Sequence, residues 1–269
     1  MLKILLPTDF SENARKAIDY AVRLFQKEEC IFYLLHAYHD APSASKARAD
    51  LENDLKHLAE TIHKERQYPE HRFESVFMID SLVNALNVTM IDKAIDYIFM
   101  GTKGISSLFN VFMGSNTVRV ISQLDTCPIV AVPAEYDYAQ PEEILFANDF
   151  KHRFIAPELE PLIKLTRLWD STLWTINLYS GKALDSAQKQ NKEALKHALK
   201  GVKSRFSEVQ MEVSITSTLY KLEKENKKIG MVALLKTKHG LFEGLFHEPV
   251  LRKMTFNTEV PLLILPEIV

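Results

Sequence analysis

The chain has 269 residues, 46% hydrophobic and 25% charged, which leaves room for two soluble domains of roughly 100–200 residues and excludes a disordered or disulfide-stapled chain. Lys and Arg number 33 against 35 for Asp and Glu, a net charge of −2, so no global basic field draws the chain to nucleic acid or anionic lipid. No apolar run approaches the ~20 residues that cross a bilayer, and the opening MLKILLPTDF has no small-residue cleavage site; the expectation is a cytoplasmic protein with neither nucleic-acid nor membrane partners.

The first apolar run, near 2–8, reads as a buried strand closing in Pro7-Thr8-Asp9. A helix near 12–27 follows, with Ser11 as its N-cap and Ala17, Ala21, Leu24 and Phe25 as its apolar stripe. Strands near 30–37, 73–79, 96–101 and 128–133 alternate with helices near 43–67, 81–93 and 114–123. This alternation of short apolar runs with helical patterns is the signature of βαβ units around a parallel sheet. Cys30 and Cys127 lie inside apolar stretches without a CxxC or Cys/His cluster, so they read as core residues.

The same plan recurs at an offset of about 140 residues. Lys3-Ile4-Leu5-Leu6-Pro7-Thr8-Asp9-Phe10 matches Glu143-Ile144-Leu145-Phe146-Ala147-Asn148-Asp149-Phe150, and the ending Cys127-Pro128-Ile129-Val130-Ala131-Val132-Pro133 matches Val260-Pro261-Leu262-Leu263-Ile264-Leu265-Pro266. Strands are expected near 143–148, 172–178, 210–215, 231–235 and 261–265, with a long helix around 183–206 carrying Leu195, Leu199, Val202 and Phe206 at helical spacing. The two-proline stretch 133–141 divides the chain into domains 1–138 and 139–269.

Three of the eight glycines fall in Met100-Gly101-Thr102-Lys103-Gly104 and, nine residues on, Gly114-Ser115-Asn116-Thr117. Glycines after a strand let the backbone turn or approach a ligand closely, and the free N–H groups at a helix start attract anions. The simpler reading, turn glycines and an ordinary N-cap at Ser115, stands beside that one. Asp9 ends the first strand at the crevice where strand order reverses in a doubly wound sheet, where it can meet ribose hydroxyls or a divalent cation, or simply cap the following helix. His36 reads as a satisfied core histidine.

These residues resemble the universal stress protein family in its tandem form: Gly101-x2-Gly104-x9-Gly114-Ser115, the strand ending in Pro7-Thr8-Asp9, the strand running into His36-Ala37, and the closing Cys127–Pro133 segment. The resemblance implies an α/β fold of two tandem doubly wound, Rossmann-like domains, each a five-stranded parallel sheet of order 3-2-1-4-5 flanked by helices. It implies ATP with Mg2+ or Mn2+ in the nucleotide-binding branch, pairing of the two domains through their last strands, and possible further homodimerisation. Carried onto this sequence, Asp9 faces the ribose and metal side and is the metal residue, with Pro7 and Thr8 beside it among the cofactor-binding residues. Ala37 lines the adenine pocket through its backbone, and Gly101, Gly104, Gly114, Ser115 and Asn116 surround the phosphates, with Met100 and Thr117 nearby.

The second copy departs from the pattern. Lys236-Thr237-Lys238-His239 stands against Gly101-Thr102-Lys103-Gly104, and His247, Glu248 and Pro249 fall at Gly114, Ser115 and Asn116. A carboxylate there repels anions and a proline removes a donor, so this half is a structural partner, with Leu241–Phe246 filling the pocket or meeting another protein. The chain has no GxSxG elbow, Walker motif or dinucleotide GxGxxG. The expected function is a nucleotide-dependent stress-response sensor or regulator with ATP in the N-terminal domain, no assigned catalytic residue and at most slow hydrolysis, the segment 105–113 being its switch. The alternative is a nucleotide-independent interaction module whose clefts, with the apolar Leu108–Phe112 and Leu241–Phe242, are filled or used for docking.

Overall fold

The computed structural model describes residues 1–38, 47–102, 114–179, 181, 183–237 and 258–268. In the first half the strands are β1 (Leu2–Pro7), β2 (Cys30–Tyr38), β3 (His71–Ile79), β4 (Tyr97–Gly101) and β5 (Ile129–Val132). The helices between them are α1 (Glu12–Leu24), α2 (Arg48–Arg66), α3 (Leu82–Lys93) and α4 (Ser115–Gln123). The second half carries β6 (Glu143–Asn148), β7 (Thr172–Tyr179), β8 (Ser204–Gln210), β9 (Ile229–Lys236) and β10 (Leu262–Pro266), with α5 (Ala156–Leu168), α6 (Ser186–Ala198) and α7 (Ile215–Glu225).

The fold is α/β, and the two five-stranded parallel units form one ten-stranded sheet of order β3-β2-β1-β4-β5-β10-β9-β6-β7-β8. Each half has the order 3-2-1-4-5 counted in its own strands. Among the described strands the one antiparallel seam is β5 with β10, where Ala131 pairs Leu262 and Ile129 pairs Ile264. Two apolar layers cover the faces. Leu2, Ile4 and Leu6 point to the layer of α1, α2, α5 and α6, whereas Leu5 points to that of α3, α4 and α7, as the two-residue period of a strand requires. Away from the seam, the Trp169 indole N–H donates to the Leu24 carbonyl at 3.0 Å, the Tyr97 hydroxyl donates to the Pro161 carbonyl at 2.8 Å, and the Lys27 ammonium lies 4.3 Å from the Trp169 ring.

The second half departs from the periodicity reading in two places. The helix expected around 183–206 ends at Ala198, and Gly201, at φ +80°, turns the chain so that Phe206 belongs to β8 rather than to a helical stripe. β8 therefore spans 204–210 instead of 210–215. Its register is held by the Trp174 indole donating to the Ser207 hydroxyl at 3.0 Å and by the Arg205 guanidinium over the Trp174 ring at 3.7 Å. Ser214 is not a strand residue but the N-cap of α7, its hydroxyl accepting the Ser217 N–H at 3.1 Å. Cys30 and Cys127 are both buried, and burial pushes each thiol up to about 12, far from thiolate chemistry.

Candidate functional site

At the carboxyl ends of β1 and β4, where the order of the first half reverses, the structure holds a cavity of about 190 Å³. Pro7, Thr8 and Asp9 form one wall and Ala37 another; Met100 and Gly101 close the β4 side, and Gly114, Ser115, Asn116 and Thr117 form the helix side. Ten of the eleven residues expected at a site are thereby brought together. Gly104, with the switch segment 105–113, lies outside the described residues. Ala14, His36 and Leu82 also line the cavity, and sequence reasoning had not placed them there.

Local chemistry fixes each wall. After β1 the chain makes a left-handed turn at Phe10, φ +63°, a conformation costing about 1–3 kcal/mol for a residue other than glycine. Two side chains stabilise it: the Thr8 hydroxyl accepts the Phe10 N–H at 3.0 Å and the Asp9 carboxylate accepts the Ser11 N–H at 3.0 Å. The second half repeats the device at Phe150, φ +56°, with Asn148 Oδ1 accepting the Phe150 N–H and Asp149 Oδ1 the Lys151 N–H. Asp9 and Asp149 thus share a turn-holding role.

On β2, the Leu35 carbonyl accepts the Thr8 N–H at 2.8 Å. Ala37, two residues on, presents its backbone to the same side, past the end of β1. His36 is half-buried rather than the core residue expected, though its Nδ1 is satisfied: it lies 2.8 Å from the Thr8 carbonyl, and the ring packs on Phe10 with centroids 4.7 Å apart. It nevertheless borders the cavity, and its neighbour Ala37 was the signal that could have placed it there.

Gly101 and Gly114 have different physical roles. A Cβ on Gly101 would meet the Asn13 carbonyl oxygen at 2.7 Å, so its missing side chain admits the backbone of α1, not the close turn that the glycine spacing suggests. Gly114 is the N-cap of α4 at φ −65°, ψ 158° and supplies no side-chain acceptor. In contrast, α1, α3, α6 and α7 are capped by Ser11, Ser81, Asp185 and Ser214. The start of α4 is tied to β4 by the Gly114 N–H to the Thr102 carbonyl at 2.5 Å and the Thr117 hydroxyl to the Gly101 carbonyl at 2.8 Å. The result is a positioned helix start with exposed Ser115 and Asn116 and backbone donors at its positive dipole end. Among the described residues no group of three or more His, Cys, Asp or Glu gathers as a metal site.

In the second half Asp149 and Lys236 are described, while 238–257, with His239, the Leu241–Phe246 run, His247, Glu248 and Pro249, lie outside the described residues. No helix among the described residues is long and apolar enough to cross a membrane.

An open α/β sheet whose strand order reverses at a crevice defines the doubly wound class of fold. The sequence model of the universal stress protein family matches residues 1–133. A universal stress protein of Methanocaldococcus jannaschii is 27% identical over 154 residues, covering 48% of this chain and 93% of its own length; one of Bacillus subtilis is 23% identical over 145 residues, covering 48% and 97%. The crystal structure of a universal stress protein from Archaeoglobus fulgidus aligns over 98% of this chain and 96% of its own, with a TM-score of 0.71 at 14% identity, a likeness of fold. Residues 1–133 belong to the universal stress protein family, and the chain along its whole length shares the fold of one of that family's solved structures.

Proposed function

We propose that residues 1–138 form a domain that binds an adenine nucleotide, ATP with Mg2+ or Mn2+, and that residues 139–269 form a counterpart without that site, the whole acting as a nucleotide-dependent sensor or regulator in stress response. The observation that carries this reading is the convergence on one cavity of a strand-end backbone at Ala37, a carboxylate at Asp9 and an N-terminus without a side-chain cap at Gly114. Each suits a different part of one ligand. Backbone beside the apolar Met100 and Leu82 accepts a flat base, Asp9 accepts ribose hydroxyls or a cation, and the N–H groups at the start of α4 accept phosphate oxygens.

The cavity, about 190 Å³, falls below the roughly 300–1,000 Å³ of sites that enclose a drug-sized ligand. The phosphates of a nucleotide would therefore extend out along Ser115 and Asn116. A Mg2+ ion needs only one or two carboxylates beside phosphate oxygens and water, so Asp9 suffices from the protein. Among the described residues His36 is the one imidazole on the cavity and already faces the Thr8 carbonyl through Nδ1, and we expect occupancy rather than turnover to be the signal.

The test is to denature the purified protein, identify released small molecules by liquid chromatography and mass spectrometry, and titrate the stripped protein with Mg-ATP in a calorimeter. About one adenine nucleotide per chain, as a single crevice of this kind requires, and its loss in Gly114→Asp, support the reading. No nucleotide and no binding heat across several temperatures overturn it and leave a nucleotide-independent docking module.

A further inference from the structure

Gly101 is the last residue of β4; the last residue of β9 is Lys236. Because β5 and β10 run antiparallel, the carboxyl end of β9 lies where α4 leads into β5. There the Lys236 ammonium donates to the carbonyls of Ile121 at 2.6 Å, Ser122 at 3.0 Å and Leu124 at 3.2 Å, and pairs with the Asp125 carboxylate at 2.5 Å. Its side chain is only 14% exposed. The last carbonyls of a helix have no partner within the helix, and α4 has no basic residue of its own in its last turn. The C-terminal cation that α1, α2 and α3 find in Arg23, Lys64 and Lys93 comes to α4 from the other half of the molecule.

This matters because α4 is short. Its nine residues fall below the roughly 12–15 that make an isolated helix even marginal in water, so both its ends depend on outside partners. The amino end is held by Thr102 and Gly101, and the carboxyl end by Lys236. The helix start at the cavity can be no better placed than the helix behind it.

We propose that Lys236 couples the two halves: by holding the carboxyl end of α4 it positions the helix start that takes the phosphates, so the second half sets the nucleotide affinity of the first. This rests on the nucleotide reading given above. The strand position that in the first half admits a neighbouring helix backbone becomes, in the second, a positioning residue for its partner. Binding free energies are reciprocal, so nucleotide bound at the start of α4 must in turn tighten the grip of Lys236 at its end. Occupancy would thereby reach the second half without any contact between it and the ligand.

The test combines calorimetry with hydrogen exchange on the full chain. In Lys236→Met, Mg-ATP affinity should fall about tenfold, within the roughly 5- to 150-fold usual for coupled sites, with stoichiometry unchanged. The amides of residues 118–123 should exchange faster in the free protein and regain protection when nucleotide is bound. Lys236→Arg, which keeps charge and donors, should restore affinity to within about threefold of the parent. Equal affinity in Lys236→Met and the parent overturns the coupling, and unchanged exchange in α4 overturns the clamp itself. If the parent protein binds no nucleotide, the nucleotide reading fails and the coupling fails with it; the exchange comparison still decides the clamp alone. Should Lys236→Met not fold, Lys236→Gln, with two N–H donors and no charge, serves with the same expected directions.

Discussion

Replacing Gly114 with Asp separates the anion-binding role of the α4 start from its structural role. Gly114 sits at φ −65°, ψ 158°, the extended geometry in which Asp is among the best N-caps. The new carboxylate can accept the N–H of Asn116 or Thr117, and beside the helix dipole it should stabilise the fold by about 0.3–1 kcal/mol. For a chain of this size that amounts to a rise in Tm of about 1–4 °C. The same carboxylate occupies the donors a phosphate would use and repels it. Two unit charges about 4 Å apart at an effective dielectric near 20 cost about 4 kcal/mol, equivalent to about a thousandfold in Kd. Calorimetric titration with Mg-ATP reads the binding, and scanning calorimetry reads the fold. Because the penalty is electrostatic, it should shrink as salt rises from about 0.05 to 0.5 M, and Gly114→Ser, a neutral cap, should lose far less affinity. ATP binding within a few-fold of the parent would refute the assignment of phosphate to this helix start. A loss of binding that tracks a lowered Tm would show that the substitution damaged the cavity.

Gly101→Ala should lower Tm by several degrees, since its Cβ would lie 2.7 Å from the Asn13 carbonyl oxygen and overpacking of this kind costs about 1–3 kcal/mol; an unchanged Tm would show that α1 can step aside. Asp9→Asn keeps an acceptor for the Ser11 N–H and removes the charge, so ATP affinity with Mg2+ should fall by about tenfold or more while affinity in a chelator changes little; equal losses would remove Asp9 from the cation. Glu223 accepts the Thr258 hydroxyl at 3.0 Å and the Glu259 N–H at 2.8 Å, and burial pushes its carboxyl up to about 7 from 4.5. The native state then holds a proton that the unfolded state releases, so this group's contribution to stability falls as pH rises from about 4.5 to 7 and is level above that, a change on the order of 3 kcal/mol at most. Glu223→Gln should flatten that slope in thermal melts between pH 5 and 8, and an unaltered slope would place the titration elsewhere.

Much of the fold was legible because buried parallel strands and amphipathic helices leave distinct periods, and the duplication let each half check the other. The errors fell where periodicity ran on past a break. Leu195, Leu199, Val202 and Phe206 keep helical spacing through a turn that Gly201, at φ +80°, makes, and that glycine was the available stop signal. Met211, Val213 and Ile215 keep strand spacing through a loop and into the first residue of α7, because Ser214 caps that helix. Helix α5 carries Pro157 and Pro161 within its first six residues, which blunts its helical signature. At the site, backbone-shaped features were readable from glycines and strand ends. Leu82 and Ala14, whose placement depends on how α3 and α1 cross the crevice, were not, and neither was the reach of Lys236 across the seam, since nothing local in the sequence specifies a partner more than a hundred residues away.

The duplication also decides which features deserve functional weight. Thr8-Asp9-Phe10 and Asn148-Asp149-Phe150 form the same left-handed turn with the same two acceptor bonds, so an aspartate at this point is explained by turn geometry alone. Its presence alone therefore does not single out a ligand; its weight comes from sharing one cavity with Ala37 and the start of α4. A difference that the described residues of both halves display is the strand-end pair Gly101 and Lys236. The glycine lets α1 close against the end of β4 at the edge of the cavity, and the lysine spends its charge on α4. A second copy that served only to extend the sheet would need no ammonium held by three carbonyls of the other half, and that contact is what ties Lys236 to the first half's helix.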